Sequence, residues 1–289
     1  MKKKVQRILV IILFLILTLS LGYVCYGKMN RKRKVLFSWK STAITEEKER
    51  LFLCMETLGA DILYQGFSDK IDLQEVQSFL LEANERGIEV YFLTGEAEWA
   101  KPKMEEKIYQ KMDKIQEYNA LVPSKAAIRG IVCDIEPYTL SKWEKNSQEL
   151  MNSYVSVMKE AYQSAKSRGL SMVAVIPYFY DTEGFENGLT ELITNGCDQV
   201  AVMNYYRDKE IEHIKMEAQI AAEAKKQLIT IYEFNPSGKH GLTDKNTYHD
   251  LGISEALNNF SNLYKEYKKQ QVIMGFHDYE SIKEVLENE

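Results

Sequence analysis

The sequence predicts a (β/α)8 TIM barrel preceded by an N-terminal transmembrane helix. Three observations predict it. Eight short apolar runs recur between residues 35 and 276, each followed by a longer amphipathic stretch. The runs are near-continuously apolar, as strands covered on both faces should be. Behind the N-terminal segment lie residues 35–289, about 255 residues, a common size for one such barrel.

The strand candidates are 35–37, 61–64, 88–93, 128–134, 171–176, 199–203, 228–232 and 272–276. The helical stretches between them carry local start and stop signals. Residues 45–58 stop at Gly59. Asp72 opens the second helix, with Glu75 three residues on as a capping box, and Gly87 closes it. Residues 102–118 begin with Pro102 in the first turn. Residues 141–168 form a long helix that ends at Gly169, and 189–194 a short one near Gly196. Residues 209–226, 254–269 and 279–286 complete the set. Strand and helix alternate eight times within one domain-sized length, which is the barrel signature. A doubly wound open sheet is the competing architecture. It calls for a glycine-rich turn after the first strand, where this chain has Phe37-Ser38-Trp39-Lys40.

Residues 1–34 read as a basic stub, a membrane anchor and a basic flank, and 35–289 as the barrel domain. Lys2, Lys3, Lys4 and Arg7 precede an uncharged apolar run over residues 8–24, near the lower length limit for a spanning helix. No Ala-x-Ala cleavage pattern follows, so the segment reads as an uncleaved single-pass anchor. Lys28, Arg31, Lys32, Arg33 and Lys34 follow it, so basic residues flank both sides. A large folded domain behind an N-terminal anchor is most often exported, which places the barrel on the extracellular side of the cell membrane.

With 37 basic and 42 acidic residues the net charge is -5, which disfavours a nucleic-acid partner. Cys25, Cys54, Cys133 and Cys197 show neither CxxC nor Cys/His metal spacing, and the sequence predicts no structural disulfide. His213, His240 and His249 have no acid or cysteine at ligand spacing, so no metal and no cofactor is expected.

In a TIM barrel the groups that do chemistry sit just past the strand ends. Those positions hold Trp39; Gln65; Glu96 and Trp99; Asp134, Glu136 and Tyr138; Tyr178 and Tyr180; Asn204, Tyr205 and Arg207; Glu233 and Asn235; and His277 and Asp278. Acids, amides and phenols crowd one rim, a chemistry suited to an oligo- or polysaccharide. Asp134 and Glu136 stand two positions apart at the end of the fourth strand, so both face one way. Paired acids repel and raise one pKa, which keeps a carboxyl protonated for acid catalysis. Glycosidic hydrolysis needs such a proton on the leaving oxygen.

Arg129-Gly130-Ile131-Val132-Cys133-Asp134-Ile135-Glu136 resembles the fourth-strand motif of glycoside hydrolase family 18, the chitinases and endo-β-N-acetylglucosaminidases. That motif reads Asp-Gly-x-Asp-x-Asp-x-Glu. Gly130, Asp134 and Glu136 match, while Arg129 and Val132 replace the two earlier acids. Met203-Asn204-Tyr205-Tyr206 resembles the family's Met-x-Tyr-Asp, with Tyr206 in place of the acid. The resemblance implies Glu136 as general acid, Asp134 as the partner that orients the substrate acetamido group, and Tyr205 as a hydrogen-bond donor to that group. It also implies a substrate-assisted mechanism with the acetamido oxygen as nucleophile.

The expected function is a membrane-anchored glycosidase cleaving an amino-sugar glycan. The alternative is a non-catalytic glycan-binding barrel, motivated by the replaced acids at Arg129, Val132 and Tyr206. Trp39, Glu96, Tyr138, Tyr178, Asn204, Glu233 and His277 are the expected substrate-binding residues. Glu233, past the seventh strand, also fits the position of a retaining glycosidase nucleophile. The long polar loop over residues 235–250 suits a wall over the site.

Overall fold

The computed structural model describes residues 32–68 and 72–288. Eight parallel strands close into a barrel in sequence order: β1 (Lys34–Ser38), β2 (Ile62–Gln65), β3 (Glu89–Thr94), β4 (Gly130–Asp134), β5 (Ser171–Pro177), β6 (Gln199–Met203), β7 (Gln227–Glu233) and β8 (Ile273–His277). β8 closes on β1 with Val35 opposite Gly275. All eight strand candidates coincide with these strands to within two residues.

The helices are α1 (Lys48–Leu58), α2 (Leu73–Glu85), α3 (Glu105–Leu121), α4 (Trp143–Ser167), α5 (Glu186–Asn195), α6 (Glu210–His213), α7 (Lys215–Ala224), α8 (Gly252–Glu266) and α9 (Tyr279–Asn288). Asp72 caps α2 as expected, its side chain accepting from the Gln74 amide at 2.7 Å. Two expectations need correction. Pro102 does not open α3, which starts at Glu105 after a 3-10 turn over Ala97–Ala100. The single helix expected over 209–226 is two, because Ile214 leaves helical geometry and divides α6 from α7.

Strand pleating divides the apolar residues into two layers. Val35, Phe37, Ile62, Tyr64, Tyr91, Leu93, Val132, Val173, Val175, Ala201, Met203, Ile229, Ile231 and Ile273 fill the barrel interior. Their strand neighbours, including Leu36, Leu63, Phe92, Ile131, Cys133, Ala174, Val200 and Val202, pack against the helices. Both faces are therefore covered, and period-two polarity vanishes from the sequence. Cys54, Cys133 and Cys197 are free and buried.

Two glycines let strand ends approach each other closely. A Cβ on Gly95, just past β3, would lie 1.8 Å from the Asp134 carbonyl oxygen. One on Gly66, just past β2, would lie 2.3 Å from that of Trp39. The β4 and β1 ends can take their places on the rim only because these positions lack a side chain.

Among the described residues no helix is long and apolar enough to cross a membrane. The expected anchor over residues 8–24, Cys25 and most of the basic flank lie outside the described residues.

Gly95→Ala is expected to lower unfolding free energy by about 1–3 kcal/mol, the usual overpacking range, read as a lower denaturant midpoint at unchanged slope.

Candidate active site

The interior positions of each strand, continued by two residues, reach the C-terminal mouth of the barrel. Val35 and Phe37 lead to Trp39; Val132 to Asp134 and Glu136; Val175 to Pro177; Ala201 and Met203 to Tyr205; Ile229 and Ile231 to Glu233; Ile273 to His277. Trp39, Asp134, Glu136, Pro177, Met203, Tyr205, Glu233 and His277 line one cavity of about 550 Å3, together with Tyr138, Thr139, Tyr178, Phe179, His240 and Leu242.

Asp134 ends β4 and points into the mouth. Its Oδ1 is shut off from solvent and has no hydrogen-bond partner among the described residues. Burial raises its pKa to about 7, the negative charge of Glu136 adds to the rise, and His277 opposes it. The sequence expectation gave repulsion within the pair as the cause of a raised pKa; at Asp134 desolvation is the larger one. Directly below lies Val132, fully buried.

Glu136 leaves the strand and starts the 3-10 turn Pro137–Thr139. Its carbonyl oxygen accepts from the Thr139 amide at 3.0 Å and from the Thr139 hydroxyl at 2.8 Å. Pro137 and this turn fix its backbone. The Tyr138 hydroxyl donates to Glu136 Oε1 at 2.5 Å. The Tyr138 ring is held edge-on by Phe179, with centroids 5.2 Å apart. Tyr138 thus lines the cavity as expected, but its hydroxyl is committed to Glu136.

Tyr205 stands across the mouth, its ring 6.0 Å from that of His277. Burial and the nearby charges of Glu233 and Asp134 push its hydroxyl well above the ordinary phenol range, so it stays a donor. Its carbonyl oxygen accepts from Asn246 Nδ2 at 2.6 Å. That bond ties the loop after β7 to the β6 end, and the Arg207 amide donates to the Lys245 carbonyl oxygen at 2.7 Å beside it. His240 and Leu242 of this loop form one wall of the cavity.

Glu233 lies at the floor and is 4% exposed. Its Oε1 accepts from the Phe234 amide, the Asn235 amide and Asn235 Nδ2, each at 2.8 Å. Its Oε2 is 3.0 Å from His277 Nδ1. Burial raises its pKa, but His277 and the Asn235 donors outweigh burial and hold it below the usual value. Glu233 thus lines the cavity as expected, with both of its oxygens engaged in hydrogen bonds.

Two expected residues stand elsewhere. Asn204 is 1% exposed and belongs to the outward phase of β6 with Val200 and Val202. Its Nδ2 donates to the Glu210 carbonyl oxygen at 2.8 Å and to Thr230 Oγ1 at 3.1 Å. Glu96 follows the outward phase of β3, is exposed, and precedes the turn Ala97–Ala100 outside the cavity. Trp99 is buried in the outer layer. The sequence reading missed Pro177, Met203, Thr139 and Phe179. The first two could have been found by continuing the interior phase of β5 and β6.

Tyr178 lines the cavity and stacks on His213, with ring centroids 4.3 Å apart and planes at 1°. A shallower depression of about 490 Å3 lies outside the barrel along Thr45 to Arg50 and Lys283. Its Glu47 is paired with Lys283 at 2.6 Å. Among the described residues no three His, Cys, Asp or Glu side chains converge to hold a metal ion.

Fold and site define a (β/α)8 barrel with an acidic, aromatic-walled mouth. No protein-family model matches the chain, and no curated protein matches it in sequence. Solved structures resemble it in fold. A chitinase from Bacteroides thetaiotaomicron superposes with a TM-score of 0.56 at 15% identity, covering 84% of this chain and 89% of that one. D-psicose 3-epimerase from Clostridium cellulolyticum, solved with D-tagatose, gives 0.52 at 12%, covering 87% and 89%. A calcium-binding mutant of β-glucuronidase 2 from Bacteroides uniformis gives 0.59 at 10%, covering 85% of this chain but 30% of that one. At these identities the likeness is one of fold. The barrel has structural neighbours among both chitinases and sugar epimerases.

The Asp134 carboxyl keeps its proton in the folded chain at pH values where the unfolded chain, near 3.8, has lost it. Its contribution to stability therefore falls as pH rises from about 4 to about 7, then levels off. Asp134→Asn removes that fall. At pH 8 the variant is expected to exceed the parent by at least about 1 kcal/mol in denaturant unfolding, with the gap closing toward pH 4.

Proposed function

We propose that the chain is a glycoside hydrolase acting on an amino-sugar glycan. The observation that carries the proposal is the Asp134–Glu136 pair at the mouth of a 550 Å3 cavity, with Asp134 Oδ1 buried and unpartnered. A buried acceptor without a donor is unfavourable by about 1–3 kcal/mol, and a substrate N–H or O–H placed there relieves it. The acetamido group that the family resemblance implies has such an N–H. Its carbonyl oxygen would accept from Tyr205.

In this mechanism the acetamido oxygen attacks the anomeric carbon as the glycosidic C–O bond breaks. Glu136 passes its proton to the leaving oxygen. Water then attacks the anomeric carbon of the cyclic intermediate and gives its proton to the Glu136 carboxylate. The ring C–O bond opens and restores the acetamido group. The Tyr138 hydroxyl holds Glu136 at the mouth through both steps. Trp39 and Tyr178 supply aromatic faces for sugar rings.

The second reading is a glycan-binding barrel without turnover. It is favoured by Val132 inside the barrel and by Tyr206, which stand where the resembling family carries acids. The apolar run over residues 8–24 supports a tethered protein with its barrel outside the cell membrane.

Glu136→Gln is expected to lower hydrolysis of N-acetylglucosamine oligomers at least about 10²-fold, measured by product formation under saturating substrate. Equal rates would remove Glu136 as the acid. Calorimetric binding without any product across a glycan panel would instead support the binding reading. Externally added protease is expected to degrade the barrel on intact cells, and protection of the barrel would place it on the inner side.

A further inference from the structure

Three side chains on neighbouring strand ends form a line of hydrogen bonds across one wall of the cavity. Glu233 at the end of β7 is fixed by three N–H donors at Oε1, and its Oε2 faces His277 Nδ1 at 3.0 Å. A carboxylate so placed requires Nδ1 to carry the hydrogen. The other ring nitrogen, Nε2, lies 3.3 Å from Trp39 Nε1. An indole N–H only donates, so this contact requires a lone pair on Nε2 and hence a neutral imidazole. Once Nε2 takes a proton, two N–H groups face each other and the contact is lost. Trp39 is 37% exposed, and among the described residues its indole N–H donates to no other acceptor.

We propose that Glu233 and His277 are positioning residues that set the angle of Trp39 at the cavity mouth, holding the indole while the imidazole is neutral and releasing it when the imidazole is protonated. The use of this device, presenting an aromatic face to a sugar ring, rests on the glycan reading; the device itself does not. The charged and titratable groups around His277 are Glu233 on β7, Asp134 on β4, Tyr205 beyond β6 and its own neighbour Asp278, with the Phe37 ring of β1 at 5.7 Å. Burial lowers the proton affinity of the imidazole, but Glu233 and then Asp278 and Asp134 outweigh burial and lift its pKa to about 9. Near neutral pH the ring is therefore protonated and Trp39 free to turn; toward pH 10 it is tethered.

The test uses the full chain without ligand, so it stands or falls separately from any glycosidase activity. The fluorescence of the chain minus that of Trp39→Phe isolates the Trp39 signal. It is expected to rise in intensity and anisotropy with a midpoint near pH 9, because imidazolium quenches an adjacent indole more than the neutral ring does. Glu233→Gln is expected to lower that midpoint by at least about one unit. Loss of Glu233 could disturb the loop it holds, so the exposed partner supplies an independent measurement. Trp39 donation favours neutral His277, and Trp39→Phe should raise the His277 midpoint by about half a unit, read from its ring proton by NMR with the signal assigned through His277→Gln. A Trp39 signal that is flat from pH 6 to 10, or a His277 titration identical with and without Trp39, overturns the proposal.

Discussion

The period-two alternation of the barrel strands is the constraint on which the site depends. Each strand sends alternate residues inward, and the last inward position of each becomes part of the mouth. Asp134 stands in the cavity because Val132 is in the barrel, and Glu233 because Ile231 is. A shift of one residue would bury Cys133 in the mouth and turn Asp134 toward the helices. Gly66 and Gly95 serve the same end at the strand termini, where a methyl group would collide with the Trp39 and Asp134 carbonyl oxygens.

Within that frame the same rim drives two carboxyls in opposite directions. Asp134 and Glu233 are both largely desolvated, which by itself favours the protonated acid. Glu233 has three N–H donors and an imidazole, and it is held ionised. Asp134 has no partner at Oδ1 and a neighbouring negative charge, and it is pushed toward neutrality. Local donors, not depth, decide which acid is framework and which remains available to a ligand. The spacing of strands in the sequence cannot show this, because the donors to Glu233 come from the loop that follows it and from β8.

The barrel was legible because eight apolar runs and their helical partners are local patterns, and glycines at 59, 87 and 169 mark helix ends plainly. The pair at 134 and 136 was legible for the same reason: it needs only one strand. Asn204 and Glu96 were misplaced because rim membership was judged from closeness to a strand end, while phase decides it. Asn204 is one residue out of step with Met203 and Tyr205, and it serves the outer layer by binding Glu210 and Thr230. Tyr138 binds Glu136 only two residues away, but its ring is set against Phe179 of the segment after β5, a contact that no local window of sequence contains.

The departures from the resembling motif acquire a physical meaning at Val132. An acid at that depth, directly below on the same strand, would give Asp134 a neighbour with which to share a proton. An isopropyl group gives it none, and Oδ1 is left dry and unpaired. An orphaned acceptor is unfavourable by about 1–3 kcal/mol, and Asp134 Oδ1 shares that condition with other buried atoms such as the Tyr64 hydroxyl of the barrel interior. The deficit is local to the mouth, and a donor brought in by a ligand is what removes it. The mouth thus brings together an unpartnered carboxyl oxygen at Asp134, a second carboxyl at Glu136 and aromatic walls at Trp39 and Tyr178.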